Sequence, residues 1–132
     1  MTNIFPVLRY RETHEAIDFL CRAFGFERLM VYEDEGGRVE HAELALGAGV
    51  VMVGTASSSG TGKRGSVDPK EAELGPYVYV ENVEAHHERA QAAGAQIAYG
   101  PRDTDYESRE YAALDTEGLL WSFGTYLPER RG

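Results

Sequence analysis

Apolar and polar residues alternate with period two over Ile4 to Tyr10. Phe5, Val7 and Arg9 fall on one face, and Ile4, Leu8 and Tyr10 on the other, which predicts a strand. Thr13 is then a candidate cap for a helix that carries Ile17, Leu20, Cys21 and Phe24 on one stripe. That i, i+3, i+4, i+7 spacing marks a buried helix face. Gly25 is the expected stop. Phe26 to Glu33 is β-rich, Glu35-Gly36-Gly37 reads as a hairpin turn, and Arg38 to Leu46 alternates again. In that strand Ala42, Leu44 and Leu46 face one way and His41, Glu43 and Ala45 the other. Gly47-Ala48-Gly49 turns the chain into Val50-Val51-Met52-Val53. The order so far is βαβββ.

The same order follows a second time. Pro76 to Val80 reads as a strand, and Asn82 caps a helix that Gly94 ends. Ala95 to Tyr99, Arg109 to Leu114 and Leu119 to Tyr126 read as strands, the last two joined by the turn Asp115-Thr116-Glu117-Gly118. The helices match at an offset of 69: Glu15 with Glu84, Ala16 with Ala85, Ala23 with Ala92 and Gly25 with Gly94. In the strands the offset is 70, pairing Pro6 with Pro76 and Gly54 with Gly124. Common residues match by chance, but shared order, caps and turns favour a true repeat. Between the copies Thr55 to Glu73 holds Ser57-Ser58-Ser59-Gly60-Thr61-Gly62 and Lys63-Arg64-Gly65. Such a composition suits a flexible loop or a lid with a basic tip.

With 132 residues, the chain is long enough for one domain with a substantial core. The expected division is module one at about 4–54, a flexible loop at 55–73 and module two at about 74–127. A net charge of −9 argues against nucleic acid or an anionic membrane as the main partner. It leaves room for a small anion held by a local arginine. The single cysteine, Cys21, has no internal disulfide partner, which suits a reducing cytoplasm. The first six residues lack the basic and apolar regions of a signal peptide, and no apolar run approaches a membrane span. The expected location is therefore cytoplasmic.

From Phe5 to Pro128 the chain resembles the vicinal oxygen chelate superfamily, which includes glyoxalase I, bleomycin-resistance proteins and extradiol dioxygenases. The likeness is carried by Ala16-Ile17-Asp18-Phe19-Leu20 with Phe24-Gly25-Phe26, and by Ala92-Ala93-Gly94-Ala95. Asp115-Thr116-Glu117-Gly118-Leu119-Leu120-Trp121-Ser122-Phe123-Gly124 looks like the family's Asp-Pro-Asp-Gly strand signature, with Thr116 in place of Pro. The resemblance implies an α+β fold. Two tandem βαβββ modules would form a curved mixed sheet around a cleft, with the helices outside. Members of this size commonly form homodimers, and in some the cleft is built from both chains.

Metal-using members place one ligand on the first and last strand of each module. Those positions fall here on Phe5, Met52, Gly75 and Ser122. A catalytic divalent site needs about three His, Asp, Glu or Cys ligands, and this set offers none. The expectation is a site with no metal and no other cofactor, similar to the bleomycin-resistance branch.

Several residues remain as candidates for ligand binding. Arg9 shares the cleft face with Phe5 and Val7. In glyoxalase-like proteins the matching arginine contacts an anionic substrate group, and its planar guanidinium suits a carboxylate or phosphate. A salt bridge to one of the 22 acidic residues is the competing role. Tyr77 and Tyr79 alternate on the strand that follows Gly75, where they either stack on a flat ligand or fill the core. Leu120 and Ser122 share the cleft face of the last strand, while Trp121 and Phe123 pack beneath a helix. Arg109 and Tyr111 share a face, and with Tyr106 they can form a second polar wall. His41 and Glu43 point the same way and are the candidate acid–base pair, or else a half-exposed strand edge. His86 and His87 are adjacent on a helix and diverge by about 100°, which disfavours a shared ion.

The leading reading is metal-independent binding of a small anionic or aromatic molecule by a homodimer. The alternatives are a glyoxalase-like lyase, isomerase or dioxygenase with a nonstandard metal site, and a structural or regulatory dimer without ligand.

Overall fold

The computed structural model describes residues 3–57 and 68–129. The Gly/Ser stretch after Ser57 and the basic tip Lys63-Arg64 lie outside the described residues. The elements run β1 (Val7–Tyr10), α1 (Thr13–Phe24), β2 (Glu27–Glu33), β3 (Val39–Leu46) and β4 (Gly49–Thr55). The second set is β5 (Glu73–Tyr79), α2 (Val83–Ala92), β6 (Gln96–Asp103), β7 (Arg109–Leu114) and β8 (Leu119–Gly124). These are two tandem βαβββ modules of an α+β fold. Each builds its own four-stranded mixed sheet, in the orders β1-β4-β3-β2 and β5-β8-β7-β6. In both, the first strand pairs parallel with the last and the other neighbours are antiparallel. No helix among the described residues is long and apolar enough to cross a membrane.

Local chemistry sets the ends of the elements. Gly25 adopts φ +86° and returns its N–H to Leu20 O, a conformation that L side chains rarely take. Asn82 Oδ1 caps α2 by accepting from Ala85 N at 3.0 Å. Thr13, by contrast, is not the cap of α1. It lies in the first turn, and its hydroxyl reaches back to Tyr10 O and to Thr55 Oγ1. The chain entering α1 is held instead by Glu117, whose carboxylate accepts from Arg11 N and Glu12 N at 2.8 Å each.

Module two thus holds the start of α1, and it also holds its end. Arg89 on α2 donates to Cys21 O and Arg22 O, and His86 contacts Phe24 O at 2.8 Å. Carbonyls at a helix C-terminus lack internal partners and carry the negative end of the dipole, so an arginine there is well placed. Between the two ends lies the core. Phe24 meets Phe123 edge-on at 4.7 Å, and Phe26 meets Trp121 at 5.5 Å. Phe24, Trp121 and Phe123 are fully buried. One aromatic cluster therefore joins the modules on the helix side and leaves the other sheet faces free.

Candidate functional site

Antiparallel and parallel register together lay out the helix-free faces row by row. Ala42, Leu44, Val51 and Val53 are buried against the helices, so their neighbours point away. Val7, Met52, Glu43 and Met30 form one row across the first sheet. In the next row Arg9 stands beside Gly54, and His41 beside Tyr32. On the second sheet one row reads Tyr77, Ser122, Ala112 and Tyr99. The next reads Tyr79, Gly124, Glu110 and Arg102. Arg9, His41, Glu43, Met52, Tyr77, Tyr79, Leu120 and Ser122 lie on these two helix-free faces.

Two symmetry-related glycines shape these faces. A Cβ on Gly54 would lie 2.7 Å from an Arg9 guanidinium nitrogen. A Cβ on Gly124 would lie 2.5 Å from Glu110 Cγ and 2.8 Å from Tyr77 Oη. The missing side chains let Arg9 fold down on one sheet, and Glu110 with Tyr77 on the other.

Polar contacts then fix the side chains. His41 Nε2 and Glu43 Oε2 stand 2.8 Å apart and are both half-exposed. Tyr106 donates to Glu110 Oε2 at 2.7 Å, and Tyr77 donates to Tyr126 O at 2.6 Å. The Tyr106 and Tyr126 rings meet edge to face. The Glu110 carboxylate, which accepts its hydrogen bond, raises the pKa of the Tyr106 phenol. Burial raises that of Tyr77, with the charge of Glu110 adding to it. These tyrosines are therefore neutral hydrogen-bond donors rather than bases.

Two expected site residues, Tyr111 and Arg109, lie elsewhere. Tyr111 is buried on the helix side, where its hydroxyl meets His86 Nδ1. Burial pushes its phenol well above the ordinary range. Arg109 pairs with Glu84 of α2 at 2.8 Å and with Asp103 at 3.1 Å. Both residues do share a face, but it is the face packed on α2. Glu110 between them holds the position expected of a cleft wall. Phe5 precedes β1 and is exposed. Sequence reasoning missed Glu110, because the strand offset of 70 aligns His41 with Tyr111; only the register across β3–β4 and β7–β8 sets Glu110 in the place of His41.

A cavity of about 960 Å³ runs along the seam between β1 and the start of β5, past Val7, Arg9, Leu74, Gly75 and Leu119. Of the expected site residues only Arg9 lines it. Tyr77, Tyr79, Met52 and Ser122 belong to open sheet faces outside it.

The metal positions of the fold do not suit an ion here. Met52 and Ser122 stand on the open faces, Gly75 has no donor, and Phe5 is a hydrocarbon ring. Among the described residues no group of three His, Cys, Asp or Glu side chains could hold a metal. His86 is not a metal ligand in waiting. It is packed against Phe123 and spans Tyr111 and Phe24 O with its two ring nitrogens.

Residues 5–123 match the Glyoxalase/Bleomycin resistance protein/Dioxygenase superfamily, and the chain belongs to that superfamily. Among solved structures it is similar to TioX from Micromonospora sp. ML1, at 31% identity over 95% of this chain and 100% of that one, with a TM-score of 0.72. TnmS3, an antibiotic binding protein from Streptomyces sp. CB03234, shares the fold at 17% identity, covering 93% of this chain and 94% of its own, with a TM-score of 0.70. A glyoxalase I mutant from Zea mays shares it at 14% identity and a TM-score of 0.72, covering 92% of this chain and 43% of the maize chain. A search of curated proteins finds no match.

Proposed function

We propose that this chain is a metal-independent binding protein for a small, flat molecule, which it holds against the helix-free sheet faces. The observation that carries this reading is the exposure of large aromatic and apolar side chains there. Tyr32 is 60% exposed and Tyr79 42%, with Met30 and Tyr77 close behind. Exposed apolar surface of this kind marks binding sites. Arg9, folded over Gly54, is the anchor for an anionic group, and Ser122 is a small polar contact. Leu120 and Met52 supply apolar wall.

The binding form is a homodimer in the cytoplasm. Apart from Val7 and Arg9 the two faces lie outside the seam cavity, and a second copy set against them turns two open faces into enclosed clefts. The fold shared with an antibiotic binding protein, TnmS3, agrees with small-molecule binding. Such a pairing brings together the same Phe5, Met52, Gly75 and Ser122 positions, so it builds no metal site of the usual kind.

The experiment is calorimetry with a panel of flat aromatic acids on tag-free protein, together with elemental analysis. Saturable binding to metal-free protein is expected. Stoichiometric Zn, Ni, Mn or Fe, with binding that depends on it, would sink the proposal.

One observation favours a second reading. His41 and Glu43 are 2.8 Å apart on the same open face, where a carboxylate can orient an imidazole as a base. Turnover of methylglyoxal–glutathione adduct or of catechols, lost in His41→Gln, would favour an enzyme over a binding protein.

A further inference from the structure

Glu110 is a carboxylate in an unusual position. It is only 6% exposed, on the helix-free face of the second sheet. Among the described residues, the one side-chain hydrogen bond to its carboxylate comes from Tyr106. Among the described residues no basic side chain pairs with it. A nearby cation is at hand and is used otherwise: Arg102, its register partner on β6, stacks over the Tyr99 ring at 3.6 Å. A buried carboxylate without a counter-charge is costly, and a cation brought beside it relieves that cost.

The surroundings add a second argument. Tyr77 folds over Gly124 beside Glu110, Tyr106 holds it, and Tyr79 stands across Gly124 in the same row. Aromatic faces attract cations, most strongly where water is excluded. The repeat shows that this is particular to module two. Arg9 and His41 of the first sheet are replaced by Tyr79 and Glu110 on the second. In these rows the first sheet offers the Arg9 guanidinium, and the second offers the Glu110 carboxylate among phenols.

We propose that Glu110, with Tyr77, Tyr79 and Tyr106, forms a subsite for an organic ammonium group. The molecules bound by this chain then carry a protonated or quaternary nitrogen next to a flat ring system. This rests on the small-molecule reading above and adds the class of ligand. A molecule bridging both sheets would present its anionic end to Arg9 and its cationic end to Glu110.

Three probes of nearly equal shape test it: N-methylquinolinium, methylnaphthalene and naphthoate. Each is titrated by calorimetry into the wild-type protein and into Glu110→Gln. The wild type is expected to bind the quinolinium roughly tenfold more tightly than methylnaphthalene, the worth of one partly screened charge–charge contact with the Glu110 carboxylate. In Glu110→Gln that preference is expected to disappear, with naphthoate binding retained. Equal wild-type affinity for the cationic and neutral probes overturns the subsite and leaves aromatic binding standing. Binding of none of the three overturns the subsite and the small-molecule reading together. A preference that survives Glu110→Gln overturns the assignment to Glu110. Should the variant fail to fold, the wild-type comparison still decides. Pairing of Glu110 with Arg9 of a second copy would show as no cation preference and a weaker dimer in Glu110→Gln, and would also overturn the proposal.

Discussion

Asp115 is the most informative residue to remove, because one carboxylate ties the turn signature to the joint between the modules. Its Oδ2 accepts from the Tyr10 hydroxyl at 2.6 Å and from Trp121 Nε1 at 3.0 Å. Its Oδ1 accepts from Glu117 N and Leu119 N, which shapes the β7–β8 turn and aims Glu117 at the entry to α1. In Asp115→Ala the Tyr10 hydroxyl and the Trp121 N–H lose their acceptor, on residues only 2% and 0% exposed. A stranded buried donor costs about 1–3 kcal/mol, so the pair costs roughly 2–6 kcal/mol before any loss from the turn. Of the two turn N–H groups, that of Leu119 is only partly buried, whereas that of Glu117 is buried and adds to the loss. Urea unfolding followed by Trp121 fluorescence measures the loss. Tyr10→Phe in the same background removes one stranded donor, so Asp115→Ala is expected to cost about 1–3 kcal/mol less there. A loss below about 1 kcal/mol for Asp115→Ala, or simple additivity in the double variant, would refute the lock.

Two further outcomes follow from the same joint and from the open faces. Burial holds the His86 imidazole below its ordinary value of 6.5. The unfolded chain takes up a proton there before the folded one does. Stability attributable to His86 is therefore fully present above about pH 6.5, and it falls as pH drops from that value toward the lowered folded value. In His86→Gln this part of the pH dependence of unfolding is expected to vanish; an unchanged profile would count against the role. On the sheets, Arg109→Ala and Tyr111→Phe are expected to leave naphthoate affinity within about twofold, whereas Arg9→Ala weakens it by tenfold or so, the worth of one charge-assisted hydrogen bond. Calorimetry with folded variants checks the contrast, and equal losses at Arg109 and Arg9 would contradict the assignment of faces.

Much of this arrangement was legible because it is local. Gly25, Asn82 and the Gly36-Gly37 turn act within a few residues, so sequence alone placed both helices and the hairpins. Alternation likewise separated Trp121 and Phe123 from Leu120 and Ser122. What alternation cannot say is which face meets a helix, and Arg109 and Tyr111 show it. They do share a side, but α2 supplies Glu84 and His86 on that side, and those partners come from a different element. Glu110 was not legible, because the strand offset of 70 aligns His41 with Tyr111 and only the β7–β8 register brings Glu110 to the matching place. Glu117 and Asp115 looked like turn residues, and their long-range acceptor roles depend on chain segments about a hundred positions away. Thr13 was a plausible cap, and Glu117 took over the task of holding the entry to α1.

The most direct test of binding at the helix-free faces uses the two methionines of the first sheet. Met30 and Met52 share one row there, with Glu43 between them. Methyl NMR of methionine-labelled protein, titrated with naphthoate and N-methylquinolinium, reads contact at that row without a variant. Saturable shifts of both methyl signals, with the naphthoate titration weakened by Arg9→Ala, are the expected result. Methyl signals that stay fixed while calorimetry records binding would place the ligand elsewhere and contradict the assignment of the site.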